Sequence, residues 1–130
     1  MHITDYFNQM QVDLDRVTAI SSRNITFDQR SDVVGYVRGV IDFTDGSQLH
    51  FSEYVNVERG PNRLKYSYHF MRKHQLLFRY DNASDPKATA LKTYPHHKHH
   101  YPKSIHPPVG FSCEFLDALR EFVWPFEMRQ

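Results

Sequence analysis

Val33-Val34-Gly35-Tyr36-Val37-Arg38-Gly39-Val40-Ile41-Asp42-Phe43-Thr44-Asp45-Gly46-Ser47-Gln48-Leu49-His50-Phe51-Ser52-Glu53-Tyr54-Val55-Asn56-Val57-Glu58 reads as two strands and the turn between them. In the first strand, residues 33–43, Val33, Val37, Ile41 and Phe43 share one face with Gly35 and Gly39 between them. Tyr36, Arg38 and Asp42 take the other face, as the period of two in an extended chain requires. Asp45-Gly46 forms the turn, because glycine accepts the positive φ of a tight hairpin. In the second strand, residues 47–58, Leu49, Phe51, Val55 and Val57 line one face, and His50, Ser52, Tyr54 and Asn56 the other. Glu53 breaks the alternation: parity puts it on the apolar face, between Phe51 and Val55.

The pattern extends both ways from this hairpin. Upstream, Ile3, Tyr6, Phe7, Met10 and Leu14 fall at helical spacing, with Thr4 as the expected cap. The β-branched content of residues 17–27 predicts a first strand. Downstream, Arg59-Gly60-Pro61-Asn62 reads as a turn. Residues 63–71 form the next strand, with Leu64, Tyr66, Tyr68 and Phe70 on one face and Lys65, Ser67, His69 and Met71 on the other. Residues 72–75 connect it to a short strand at 76–81, on which Arg79 and Asp81 share a face. Residues 82–110 show no periodicity and carry five prolines, so a long loop is expected there. Ser112 caps a closing helix with Phe115, Leu116, Leu119, Phe122 and Val123 as its buried stripe, ended by Trp124-Pro125. Short connections favour antiparallel neighbours. The predicted fold is one α+β domain over residues 1–130: a five-stranded antiparallel meander sheet with an N-terminal and a C-terminal helix packed on one face.

Composition narrows the function. With 130 residues the chain can bury a single core, and ten phenylalanines and eight tyrosines make that core aromatic. A formal charge of +1 excludes a general polycation, so a nucleic-acid site has to be a local patch. The single cysteine, Cys113, rules out an intramolecular disulfide and fits a reducing cytoplasm. No apolar run reaches membrane-spanning length, and the first residues lack the order of a signal peptide.

The chemistry concentrates in histidines. Four of the nine occur in Tyr94-Pro95-His96-His97-Lys98-His99-His100. Imidazole both takes and gives a proton near neutral pH. Lys65, Ser67 and His69 line up on one strand face, and Arg79 can lie beside them; cations and a proton-transfer group suit a phosphate. If the histidine segment folds over this face, His69 and one of His96, His97 or His99 supply the acid and base of metal-free RNA cleavage. Lys65, Arg79 and Lys98 then hold the phosphate, and Tyr68 and Tyr94 stack on bases. Glu53 would set protonation or orient a histidine from behind. A competing reading shares an ion between His97 and His99, or His96 and His100, completed by Asp81, Asp85 or Glu53, but no familiar metal motif is present. The favoured reading requires no cofactor and no metal. An ordinary solvated strand face and a non-catalytic binding surface for RNA or protein are the plainer alternatives.

Four motifs occur in order: Leu49-His50-Phe51-Ser52-Glu53-Tyr54-Val55, Arg63-Leu64-Lys65-Tyr66-Ser67-Tyr68-His69, Phe78-Arg79-Tyr80-Asp81-Asn82-Ala83 and Tyr94-Pro95-His96-His97-Lys98-His99. Together they resemble the TumE-like toxin family of prokaryotic toxin–antitoxin modules. The resemblance implies a small cytoplasmic toxin neutralised by a cognate helix-turn-helix antitoxin; apart from it, no membrane partner is expected and a homodimer is allowed. It gives no target; RNA is the inference from the residues. After Asp-Asn-Ala the family often has Pro-His-His, where this chain has Ser84-Asp85-Pro86, so the turn following Asp81 lacks that histidine pair.

Overall fold

Each strand of the protein hydrogen-bonds to the strand next to it in sequence. In a computed structural model that describes residues 1–73, 75–82, 97–100 and 104–106, the sheet order is β1-β2-β3-β4-β5-β6-β7, and every pair is antiparallel. The strands are β1 (Ile20–Gln29), β2 (Val34–Phe43), β3 (Gln48–Asn56), β4 (Asn62–Arg72), β5 (Gln75–Asp81), β6 (His97–His100) and β7 (Ser104–His106). The first five form the expected meander. The last two are a correction: residues 97–100 and 104–106, expected in an aperiodic loop, extend the ladder beyond β5. The expected closing helix and Cys113 lie outside the described residues.

Gly46 and Gly60 turn the chain at φ +88° and +86°, conformations that a Cβ disfavours. At the first of these turns the Asp45 carboxylate accepts the Ser47 backbone N–H at 2.9 Å.

The apolar face of the sheet is covered by helix α1 (Ile3–Asp15), which buries Ile3, Phe7, Met10 and Leu14. Its cap is His2 rather than Thr4. The His2 ring accepts the Thr4 backbone N–H at 3.2 Å, and the Asp5 carboxylate accepts the His2 N–H at 3.0 Å. Thr4 therefore lies inside the first turn. The Phe7 and Phe27 rings meet with centroids 5.0 Å apart. Gly35 sits directly beneath the helix: a Cβ there would lie 2.5 Å from Phe7 Cζ and 2.7 Å from Ile3 Cγ1.

Val37, Ile41, Leu49, Val55, Tyr66, Tyr68, Phe70 and Tyr80 complete a core that water does not reach. Burying each large side chain stabilises by about 1.5–3 kcal/mol before entropy is counted. One strand start departs from simple parity. Leu64, expected on the apolar face, is 49% exposed. A register shift at Tyr54/Val55 pairs Tyr54 with Lys65 but Val55 with Arg63, so Leu64 is skipped and Arg63 takes its place beside a buried valine. Among the described residues no helix is long and apolar enough to cross a membrane.

Candidate functional site

The face of the sheet turned away from α1 carries the polar side chains, and the register decides which of them meet. Val40 pairs with His50, His50 with His69, His69 with Arg79, Arg79 with His99, and His99 with Ile105. This is a single cross-strand row over six strands. The next row on the same face runs Arg38, Ser52, Ser67, Asp81, His97. Directly opposed residues in an antiparallel pair have Cβ atoms about 4.5–5.5 Å apart. The meander thus gathers histidines that lie 19 and 30 positions apart in sequence into one line.

Arg79 is half-buried, and its Nε lies 2.8 Å from Asp81 Oδ2. The two form an ion pair by proximity; the alignment is not that of a hydrogen bond, and Nε is without a hydrogen-bond partner among the described residues. The pairing keeps a guanidinium beside His69 and tempers its charge.

Beside this row a groove of about 450 Å³ opens over β1 to β4. Arg38, His50 and His69 line it, together with the hydroxyls of Ser52 and Ser67 and the Asn24 amide. No carboxylate belongs to this lining among the described residues. His50 is held from one side. Its Nε2 lies 3.0 Å from Gln48 Oε1, and Gln48 Nε2 donates to Asp42 Oδ1 at 2.6 Å. Ser22 donates to the other Asp42 oxygen at 2.9 Å. The Gln48 and Ser22 hydrogen bonds, with a smaller contribution from His50, hold the Asp42 carboxyl below the usual carboxylate range despite partial burial.

On the reverse face, Glu53 is fully buried, as parity required. The hydroxyls of Tyr6 and Tyr68 both donate to its carboxylate. Arg63 Nη1 donates to the Tyr68 hydroxyl at 2.8 Å, and its guanidinium lies 4.1 Å from the Tyr66 ring centroid. Burial, followed by the charge of Glu53, pushes the Tyr68 phenol well above its ordinary value. For Arg63, burial works against the charge, but Tyr68 and Glu53 outweigh it and raise the guanidinium further. This cluster satisfies an inward carboxylate that would otherwise be costly.

The predicted site residues therefore separate. His69, Arg79 and Ser67 share the open face, and Lys65 is exposed on the same strand. The backbone of β6 brings His97 and His99 into register with Asp81 and Arg79, and Lys98 into the alternate row opposite Tyr80. Glu53 and Tyr68 lie on the core side, and Tyr68, with no exposed surface, is not available for base stacking. His96 and Tyr94 lie outside the described residues. Sequence reasoning missed His50, Arg38, Arg63 and Tyr6. Parity already put His50 on the face of Ser52; what it lacked was the register that sets His50 against His69.

Among the described residues no three His, Cys, Asp or Glu side chains gather into a group that could hold a metal ion. In comparison with known proteins, the family model described as Toxin TumE matches residues 10–127. No curated protein and no solved structure matches the chain.

Proposed function

The chain belongs to the TumE toxin family; we propose that it is the toxin of a toxin–antitoxin module and, from its own residues, that it cuts RNA by histidine acid–base catalysis without a metal ion. The supporting observation is the row His50–His69–Arg79–His99, in which the register pairs a histidine with Arg79 on the strand to either side. Cleavage of RNA by its own 2′-hydroxyl needs a base at that hydroxyl, an acid at the leaving oxygen and a cation at the phosphate. His69 and a histidine of the 96–99 segment take the first two roles, and Arg79 and Lys65 the third. Lys98 and Tyr94 add contacts to the RNA chain. Glu53 acts through the fold, by fixing β3 against β4 and α1, rather than on the reacting atoms. The toxin works in the cytoplasm, and its partner is a helix-turn-helix antitoxin.

The test is cleavage of cellular RNA by the purified chain in excess chelator. Products ending in 2′,3′-cyclic phosphate, and resistance of a substrate with deoxyribose at the cut site, are the expected results. Cutting that stops in chelator and returns with Mn²⁺ or Zn²⁺, leaving linear phosphate ends, would identify a metal-dependent phosphoesterase instead. RNA binding without turnover would select a non-catalytic module.

A further inference from the structure

We propose that the groove lined by Arg38, His50 and His69 is a second phosphate subsite, which holds a flanking phosphate of the RNA chain beside the cleavage row. The inference rests on the ribonuclease reading for its substrate, but the groove carries its own argument.

The first part is charge. The lining joins a guanidinium, two imidazoles and several hydroxyls, with no carboxylate among the described residues. Arg38 has no ion-pair partner among the described residues, unlike Arg79, whose charge is shared with Asp81. An unpaired guanidinium over hydroxyls is suited to an oxyanion, because it offers forked donors that match phosphate geometry.

The second part is the state of His50. Ionised Asp42 can only accept hydrogen bonds, so the Gln48 amide must turn its NH₂ toward it. The Gln48 carbonyl oxygen then faces His50 Nε2, which must carry a hydrogen to donate. The neutral ring is fixed as the Nε2–H tautomer, and Nδ1 is the nitrogen that gains and loses the second proton. Charged and titratable groups surround this ring from several strands. Asp42 and Arg38 stand on β2 and Arg79 on β5. His69 and Lys65 on β4 add like charge when protonated, and Asp81 on β5 offsets Arg79. His97 and His99 enter the two rows on β6. A bound phosphate supplies the negative charge that the lining lacks.

The third part is size and place. A volume of about 450 Å³ falls in the range of pockets that hold small ligands, roughly 300–1,000 Å³. Arg38 on β2 and Arg79 on β5 are separated by three strand spacings, about 14 Å. A polynucleotide lying across the strands meets both cations, whereas a single phosphate meets one.

The experiment follows the imidazole ¹⁵N and ¹H signals of the full chain during titration with inorganic phosphate. The His50 and His69 signals are expected to move together and saturate, with affinity several-fold higher at pH 6 than at pH 8. Arg38→Gln should weaken binding about tenfold, as loss of a charge-assisted contact does, and Arg59→Gln, at an exposed turn, should leave it unchanged. Asp42→Asn should release the ring to a mixture of tautomers, read directly from the nitrogen shifts. An oligoribonucleotide should compete with phosphate more strongly than a mononucleotide. Signals that ignore phosphate, or that respond equally in Arg38→Gln, overturn the subsite; equal competition by the mononucleotide overturns its assignment to an RNA chain. Phosphate binding in a chain that cuts no RNA keeps the anion site and removes the ribonuclease. RNA cutting in a chain whose groove ignores phosphate removes the subsite alone.

Discussion

Glu53 shows how an exception to an alternating pattern can be carried faithfully into the fold. Parity put a carboxylate in the core, and it is there, with two tyrosine hydroxyls donating to it. Tyr68→Phe keeps the ring but removes one donor from Glu53 and the acceptor of Arg63. Leaving buried polar groups short of a partner costs about 1–3 kcal/mol, so the urea midpoint should fall accordingly. Glu53→Gln should lower stability in the same assay while RNA cleavage per folded molecule stays within about twofold, since functional carboxylates typically contribute far more. The same phenol sets an alkaline limit. Its proton is held in the folded chain above the ordinary tyrosine value, so between that value and the raised one the unfolded chain binds fewer protons. Stability is complete below about pH 10 and declines as pH rises through the folded value. Urea denaturation at pH 9 and pH 10.5 should show the decline in the parent and a smaller one in Tyr68→Phe.

Among the elements, the contact between α1 and β2 has the least tolerance. Ala at position 35 would place a carbon 2.5 Å from Phe7 and 2.7 Å from Ile3, and overpacking of this kind costs about 1–3 kcal/mol. Gly35→Ala should therefore lower the thermal midpoint by several degrees, a shift that calorimetry resolves. The strands at the centre of the meander were readable because they alternate apolar and polar residues, and the first because its β-branched content is high. Strands β6 and β7 were not. His97–His100 and Ser104–His106 are too short and too polar to show a period, and they become strands by pairing with an edge already formed. Nor could sequence anticipate the bulge at Tyr54/Val55, which sends Arg63 inward and Leu64 outward. The His2 cap was missed because serine, threonine, aspartate and asparagine dominate that position. For the site, parity gathered Lys65, Ser67 and His69 on one face and allowed Arg79 beside them, whereas His50 needed the register.

At the scale of the whole molecule, the sheet has two unlike faces, one covered by α1 and one that carries His50, His69 and Arg38. If two histidines act as acid and base, one must be neutral while the other is protonated, and cleavage should peak between about pH 5 and 8. A pH–rate profile that rises monotonically would count against the pair. His97→Ala with His99→Ala should abolish growth arrest while circular dichroism still reports a folded sheet; undiminished arrest would separate β6 from the activity. On the acid side, hydrogen bonds to Asp42 from Gln48 and Ser22 hold its carboxyl low. At Asp45, burial would raise the carboxyl, but Ser47 and Arg72 more than reverse it. Both groups contribute stability above the ordinary aspartate value that is lost as pH falls through their lowered values. The strand order carries a last consequence, for synthesis on the ribosome. Because every strand pairs with its predecessor, the sheet can grow in step with elongation, without waiting for distant partners. The register that sets His69 against Arg79 and His99 closes only when β6 arrives, after the first five strands have left the exit tunnel.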